Sequence, residues 1–75
     1  MKNTLQTLDR GLQALELISR SDKGLTVSEL ATALAISRPI AYRLVNTLES
    51  HAYIYRGTSG YIRLGTAAVL LSHRF

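Results

Sequence analysis

The sequence predicts a mainly α-helical domain with one small β-hairpin. Apolar residues recur every three or four positions over most of the chain, and near residue 53 the pattern changes to strict alternation. The 75 residues allow one small domain, and an apolar fraction of 47% is typical of a folded one. We therefore expect three helices, a hairpin and the beginning of a fourth helix, in that order.

The first helix is predicted over residues 5–20, and it has two apolar faces. Ala14 and Leu17 lie on one of them, and "SDKG" at 21–24 supplies the turn that ends the helix. The other face carries a stripe at helical spacing: Leu5, Leu8, Leu12 and Leu15. The face of Ala14 and Leu17, together with "AAVLL" at 67–71, needs cover, which we expect from packing within the chain and from a contact between two copies of it.

The second helix is predicted at about Val27–Leu34. Thr26 followed three residues later by Glu29 matches a capping box, in which each side chain bonds the backbone N–H of the other residue. Its inward positions are predicted to be Leu30, Ala31 and Leu34.

The third helix is predicted to begin in "ISRPIAYRLV", residues 36–45, after a tight connection. Pro39 is compatible with a helix start, because the first four N–H groups of a helix have no intrahelical partner. Ser37 can be the N-cap; since proline biases Arg38 away from helical dihedrals, the cap at Arg38 is the alternative. In either case the Ser37 hydroxyl can accept from the N–H of Ile40, and the helix should run to about His51.

The two faces of this third helix differ in chemistry. The inward positions are predicted to be Ala41, Leu44, Val45 and Leu48. The opposite face and the helix start present Arg38, Pro39, Ile40, Tyr42, Arg43, Asn46 and Thr47. Arginine can address guanine, asparagine adenine and isoleucine a thymine methyl, while hydroxyl groups suit phosphate oxygens. The outward face therefore predicts a reader of the DNA major groove.

The segments "YIYRG" and "YIRLG" alternate in the manner of two strands, and "TSG" between them predicts a hairpin with Gly57 and Gly60 near its turn. Two short helices joined by a tight turn and followed by a hairpin make a winged helix-turn-helix, with a three-helix core and a wing. We assign residues 1–65 to this domain. "TAAVLLSHRF" at 66–75 resumes a helical pattern.

Charge supports a polyanionic partner. The net charge is +4, and all of the excess positive charge lies in residues 37–75, which contain five arginines and one acidic residue, Glu49. The chain has no cysteine, its two histidines are 22 positions apart without acidic neighbours at ligand spacing, and no nucleophile is paired with a histidine and an acid. We therefore expect no metal, no cofactor and no enzymatic activity. The apolar run at 67–71 is too short to cross a bilayer, and the amino terminus does not resemble a signal peptide, so we expect a cytoplasmic protein without membrane contact.

The predicted DNA-contacting residues are Thr26, Ser37, Arg38, Pro39, Ile40, Tyr42, Arg43, Asn46, Arg56, Thr58 and Ser59. Arg43 is expected to reach a base and Arg38 a phosphate. Tyr42 can instead pack against the body of the domain, and Thr58 and Ser59 can simply be the polar tip of a hairpin.

Four stretches resemble the DNA-binding domain of the isocitrate-lyase-regulator (IclR) family of bacterial transcription factors: "LDRGLQALELIS", "GLTVSELATALAIS", "AYRLVNTLESHAYI" and "YIRLG". The resemblance implies a dimer that binds a double-stranded operator at the bacterial nucleoid, often as a repressor. It also implies that residues 66–75 start a linker helix. A small-molecule effector would bind only a C-terminal domain, which we expect to be absent from this chain. Pro39 and Ile40 depart from the family, which often has small or hydroxylated residues there.

Two other binding functions compete with this one. A winged helix can serve as a protein-interaction module that never touches DNA, although such modules tend to lack outward arginines on the third helix. A structured-RNA binder is the more distant alternative.

Overall fold

The computed structural model describes residues 3–74. Residues 1 and 2 of the predicted domain 1–65, and residue 75 of the predicted segment 66–75, lie outside the described residues. The described residues form four α-helices and one antiparallel hairpin: α1 Gln6–Arg20, α2 Val27–Leu34, α3 Arg38–Ser50, β1 Ile54–Arg56, β2 Ile62–Leu64 and α4 Thr66–His73. The mainly helical fold class with a small hairpin is confirmed, and so is the predicted order of elements.

One hydrophobic core joins the first three helices and the two strands. Its buried members are Ala14, Ile18, Val27, Leu30, Ala31, Ala41, Val45, Ile54 and Ile62. The inward positions predicted for α2 and α3 are confirmed, with Leu34 and Leu48 partly buried against this cluster. Removing these side chains from water is the main stabilising contribution available to so small a domain.

Local hydrogen bonds determine both ends of α2, the first helix of the helix-turn-helix. In α2 the N–H of Glu29 donates to Thr26 Oγ1 at 3.1 Å, and the N–H of Thr26 donates to Glu29 Oε1 at 3.0 Å, so the capping box is confirmed. The helix ends at Leu34, and the C-cap Ala35 adopts the left-handed conformation with φ +56°. The N–H of Ala35 then donates to the carbonyl of Thr32, and the chain turns directly into α3.

The first helix faces the core with a side that the leucine pattern did not indicate. Ala14 is fully buried and Leu17 packs partly against the core, so packing within the chain covers much of this face, and the contact between two copies stays a prediction. The exposed apolar positions of α1 are instead Leu5, Leu8 and Leu12, each more than half exposed. At 100° per residue this stripe lies roughly 130° around the helix axis from the buried side of Ala14 and Ile18. The small side chain of Ala14 permits a close approach of α1 to the core.

The hairpin is held from both sides of β2. On one side β1 pairs with it in the register Ile54–Leu64, Tyr55–Arg63 and Arg56–Ile62. On the other side Leu25, just before α2, forms an antiparallel bridge with Ile62 through hydrogen bonds of 3.1 and 2.7 Å. This bridge was not predicted from the sequence. It attaches the wing to the segment that leads into the helix-turn-helix.

Two glycines with positive φ shape this region. Gly60, at φ +87°, closes the predicted turn, and its N–H donates to the carbonyl of Gly57 at 3.1 Å. Gly24 has the same φ and lies against the carbonyl of Ile62, where a Cβ would collide with the oxygen. The ammonium of Lys23 adds a contact at this point, 5.3 Å from the ring centroid of Tyr61.

The last helix, α4, packs lightly. Its residues include none that is buried, and Val69, Leu70 and Leu71 are about half exposed. Within residues 3–74, no helix is both long enough and apolar enough to cross a membrane.

Candidate nucleic-acid interface

The amino-terminal end of α3 lies at the surface of the domain. Ser37 is the N-cap, Arg38 and Pro39 are the first two helical residues, and the N–H of Ile40 donates to Ser37 Oγ at 3.4 Å. The alternative cap at Arg38 is thereby excluded. Ser37, Arg38 and Pro39 are exposed, so a partial positive charge from the helix end and a guanidinium are presented together.

The outward face of α3 continues this surface over two turns. Tyr42, Arg43, Asn46 and Thr47 are all exposed, Tyr42 by 45%. Opposite them, Ala41 and Val45 are fully buried, which fixes the direction in which the exposed side chains project. The predicted division of the helix into two faces is confirmed, whereas the contacts of the outward side chains with DNA stay a prediction.

Ile40 lies at the border of this surface. It is only partly exposed, because it lines a groove between α1 and α3 together with Leu5, Leu8 and Arg43. A methyl group at this position can contact a base only from the margin of the exposed face.

Asn46 and Arg56 are joined in an arrangement that was not predicted. The Arg56 guanidinium donates through Nη2 to Asn46 Oδ1 and through Nε to Glu49 Oε1, the latter at 3.2 Å. Because the Arg56 and Glu49 side chains are 32% and 40% exposed, solvent screens the ion pair, which we expect to contribute about 0–1 kcal/mol to stability. The main effect of the ion pair is that it connects β1 of the hairpin to α3.

The remaining predicted residues lie on other elements. Thr58 and Ser59 are exposed at the tip of the hairpin. Thr26 is partly exposed, and its hydroxyl oxygen already accepts the N–H of Glu29, although a hydroxyl can still donate. Among the predicted residues, the structure thus gathers those of α3 and Arg56 into one surface, with Thr26 and the hairpin tip on separate elements.

A three-helix core, a tight turn before an exposed third helix and an attached hairpin define the class of winged helix-turn-helix domains. Residues 7–57 match the model of the IclR helix-turn-helix domain, which is more than half of the chain. The chain belongs to the IclR family, a family of transcriptional regulators.

Solved structures show the same fold. The Agobacterium tumefaciens repressor BlcR is 24% identical, with a TM-score of 0.82 over 96% of this chain and 29% of its own. An IclR transcriptional regulator from Alicyclobacillus acidocaldarius is 23% identical, with a TM-score of 0.87 over 95% of this chain and 29% of its own. An IclR homologue from Microbacterium sp. strain HM58-2 is 26% identical, with a TM-score of 0.81 over 93% and 29%. The chain thus spans about three tenths of the length of these proteins. No curated protein sequence matches it.

Proposed function

We propose that this chain binds double-stranded DNA in a sequence-specific manner as part of a bacterial transcriptional regulator, with α3 in the major groove and the hairpin on the flanking backbone or minor groove. The observation that carries the proposal is the exposed face of α3, where Arg38 and Arg43 lie near the exposed amino terminus of the helix. Arginine forms bidentate pairs with guanine edges and with phosphate.

Most of the affinity should come from contacts with phosphate, and base choice from a few side chains of α3. Arg43 lies near the centre of the exposed face and is our candidate for a base contact. Arg38, Tyr42 and the hairpin tip are candidates for the backbone. The family of transcriptional regulators to which the chain belongs supports a function in binding rather than in catalysis.

Arg43→Ala tests this assignment. If Arg43 reads a base, we expect binding to the preferred sequence to weaken by about 1–3 kcal/mol, with a smaller loss on random DNA. The measurement is a gel shift over a salt series, with Arg20→Ala as the control, because Arg20 is an exposed arginine at the far end of α1. Equal losses on both DNAs make Arg43 a phosphate contact, and no loss on either contradicts its role.

The same experiment separates the competing functions. Phosphate contacts release counterions, so the logarithm of the binding constant should fall with the logarithm of salt by about 0.9 per contact. Absent or salt-insensitive binding favours a protein-interaction module, and efficient competition by duplex RNA favours an RNA-binding function.

We also propose that two copies bind together in the cytoplasm at an operator with two half-sites. The support is the exposed apolar residues at α1 and on α4: Leu5, Leu8 and Leu12, and Val69, Leu70 and Leu71. A two-fold dimer would place its two α3 helices one DNA turn apart, roughly 34 Å. Selection of bound sequences from a random DNA pool should return palindromic half-sites, whereas a single unpaired motif counts against the dimer. In this arrangement α4 would begin a linker helix, and an effector would bind outside these residues.

A further inference from the structure

We propose that Arg56 is a positioning residue that holds the side-chain amide of Asn46 so that only its NH₂ group faces the DNA. Position 46 would then favour guanine or thymine, whose exocyclic group is an accepting oxygen, over adenine, whose exocyclic group is a donating amine. This inference rests on the proposed function, because it concerns the base choice of α3 in the major groove.

The orientation of the amide follows from the chemistry of its partner. A guanidinium has five N–H donors and no acceptor, so a side-chain amide that bonds it must do so through its oxygen. Arg56 Nη2 donates to Asn46 Oδ1 accordingly. In asparagine, Oδ1 and Nδ2 lie on opposite sides of the Cβ–Cγ bond, so the Nδ2 donors of Asn46 point away from the guanidinium.

The guanidinium itself is held by a second contact on the same helix. Arg56 Nε donates to Glu49 Oε1 at 3.2 Å, and Glu49 lies three positions after Asn46, on the neighbouring turn of α3. Arg56 therefore bonds α3 at two points through two different nitrogens. Rotating the Asn46 amide by half a turn would place its NH₂ against a donor, and the hydrogen bond would be lost.

This arrangement changes which base an asparagine can recognise. A free asparagine pairs with adenine through both groups: the oxygen accepts from the N6 amine and the NH₂ donates to N7. With the amide held so that its oxygen points to Arg56 and its NH₂ group to the base, the oxygen no longer reaches the N6 amine, and adenine keeps only N7 as a partner. The two remaining donors suit the acceptors O6 and N7 of guanine and O4 of thymine.

The test compares the base preferences of variants by selection from a random DNA pool, followed by binding constants on single-base variants of the selected site. Asn46→Ala first identifies the position contacted by residue 46, as the one where preference disappears. At that position we expect the wild-type chain to prefer guanine or thymine over adenine. In Arg56→Met, which keeps the apolar stem of the side chain, the freed amide should accept adenine, with a gain of about tenfold relative to guanine or thymine.

Three further variants make the comparison selective. Asn46→Asp keeps an oxygen for Arg56 but has no donor, so preference at the position should move to cytosine, whose N4 amine donates. Glu49→Gln keeps an oxygen that can accept from Arg56 Nε, and its base preference should remain that of the wild type. Arg63→Met removes the same charge from an exposed position on β2 and should leave all base preferences unchanged. Thermal melting of each variant verifies that it is folded.

Two results would overturn the positioning role. One is an Arg56→Met variant that is folded and binds all sequences more weakly by one common factor, because Arg56 is then a phosphate contact. The other is an Asn46→Ala variant with unchanged preference at every position, because residue 46 then reads no base. If the wild-type chain selects no motif at all, the proposed function itself fails, an outcome that is distinct from both.

Discussion

Gly24 allows the wing to attach to the helix-turn-helix, and Gly24→Ala should remove much of the stability of the domain. The backbone of Gly24 is at φ +87°, and a Cβ there would collide with the carbonyl oxygen of Ile62. The positive φ alone costs an alanine about 1–2 kcal/mol. Relief of the collision requires the bridge between Leu25 and Ile62 to open, which forfeits two hydrogen bonds of about 0.5–1.5 kcal/mol each.

The expected total loss is therefore about 2–5 kcal/mol. A domain of this size has a free energy of unfolding of about 4–11 kcal/mol at 0.05–0.15 kcal/mol per residue, so the change removes a large part of it. Gly60→Ala is the matched control, because Gly60 has the same φ with open space around the position of a Cβ. For Gly60→Ala we expect the conformational cost alone, about 1–2 kcal/mol.

Urea unfolding followed by circular dichroism measures both losses. Thermal melting provides a second readout, since 1 kcal/mol corresponds to roughly 4–8 °C in a domain of 60–100 residues. The reasoning is refuted if the two variants lose the same free energy, because the collision with Ile62 would then contribute nothing.

The other predictions concern the ends of α2. Ala35→Gly should raise the free energy of unfolding by about 0.5–1 kcal/mol, because Ala35 is in the left-handed conformation. Ala33→Gly, within the helix, should lower the free energy of unfolding by about as much. Urea unfolding measures both changes, and changes of the same sign would contradict the explanation. Thr26→Ala should lower the free energy of unfolding by about 1 kcal/mol through loss of the cap, and Thr26→Ser, which keeps the accepting oxygen, should recover most of that loss. A serine variant as unstable as the alanine variant would contradict the role of the hydroxyl group.

The features that could be predicted from the sequence are those determined within a few residues. The capping box of Thr26 and Glu29 and the cap at Ser37 each involve partners three positions apart, so the chemistry is visible in the sequence itself. The two faces of α3 follow from helical spacing in the same way. Hairpin and turn could be predicted because alternation and glycines mark them locally.

The buried side of α1 could not be predicted by the same reasoning. Spacing indicated two apolar faces, and the size of the leucines gave no reason to prefer the side of Ala14 for the core. The choice depends on how closely α1 approaches α2 and the strands, and small residues permit the closest approach. Which side is buried is therefore decided by the packing of distant segments.

The sequence indicated the residues of the candidate site but not the hydrogen bonds between them. Asn46 and Arg56 were each interpreted as separate contacts with DNA, whereas the structure joins them through a hydrogen bond. No spacing rule relates a helix to a strand that returns beside it after a turn, so this pairing requires the three-dimensional course of the chain. The one signal in the sequence was Glu49, the lone acidic residue among five arginines in residues 37–75.

The bridge at Leu25 also determines how this small sheet meets other molecules. Because Leu25 pairs with Ile62 on the side of β2 that faces away from β1, a strand from another chain cannot pair with Ile62 there. In the described sheet the outer edge of β1 has no paired strand; β1 is three residues long and carries the charged Arg56. Short charged edges resist strand addition, the usual route to aggregation of β-structure. The proposed association of two copies would therefore use the apolar faces of the helices rather than the sheet.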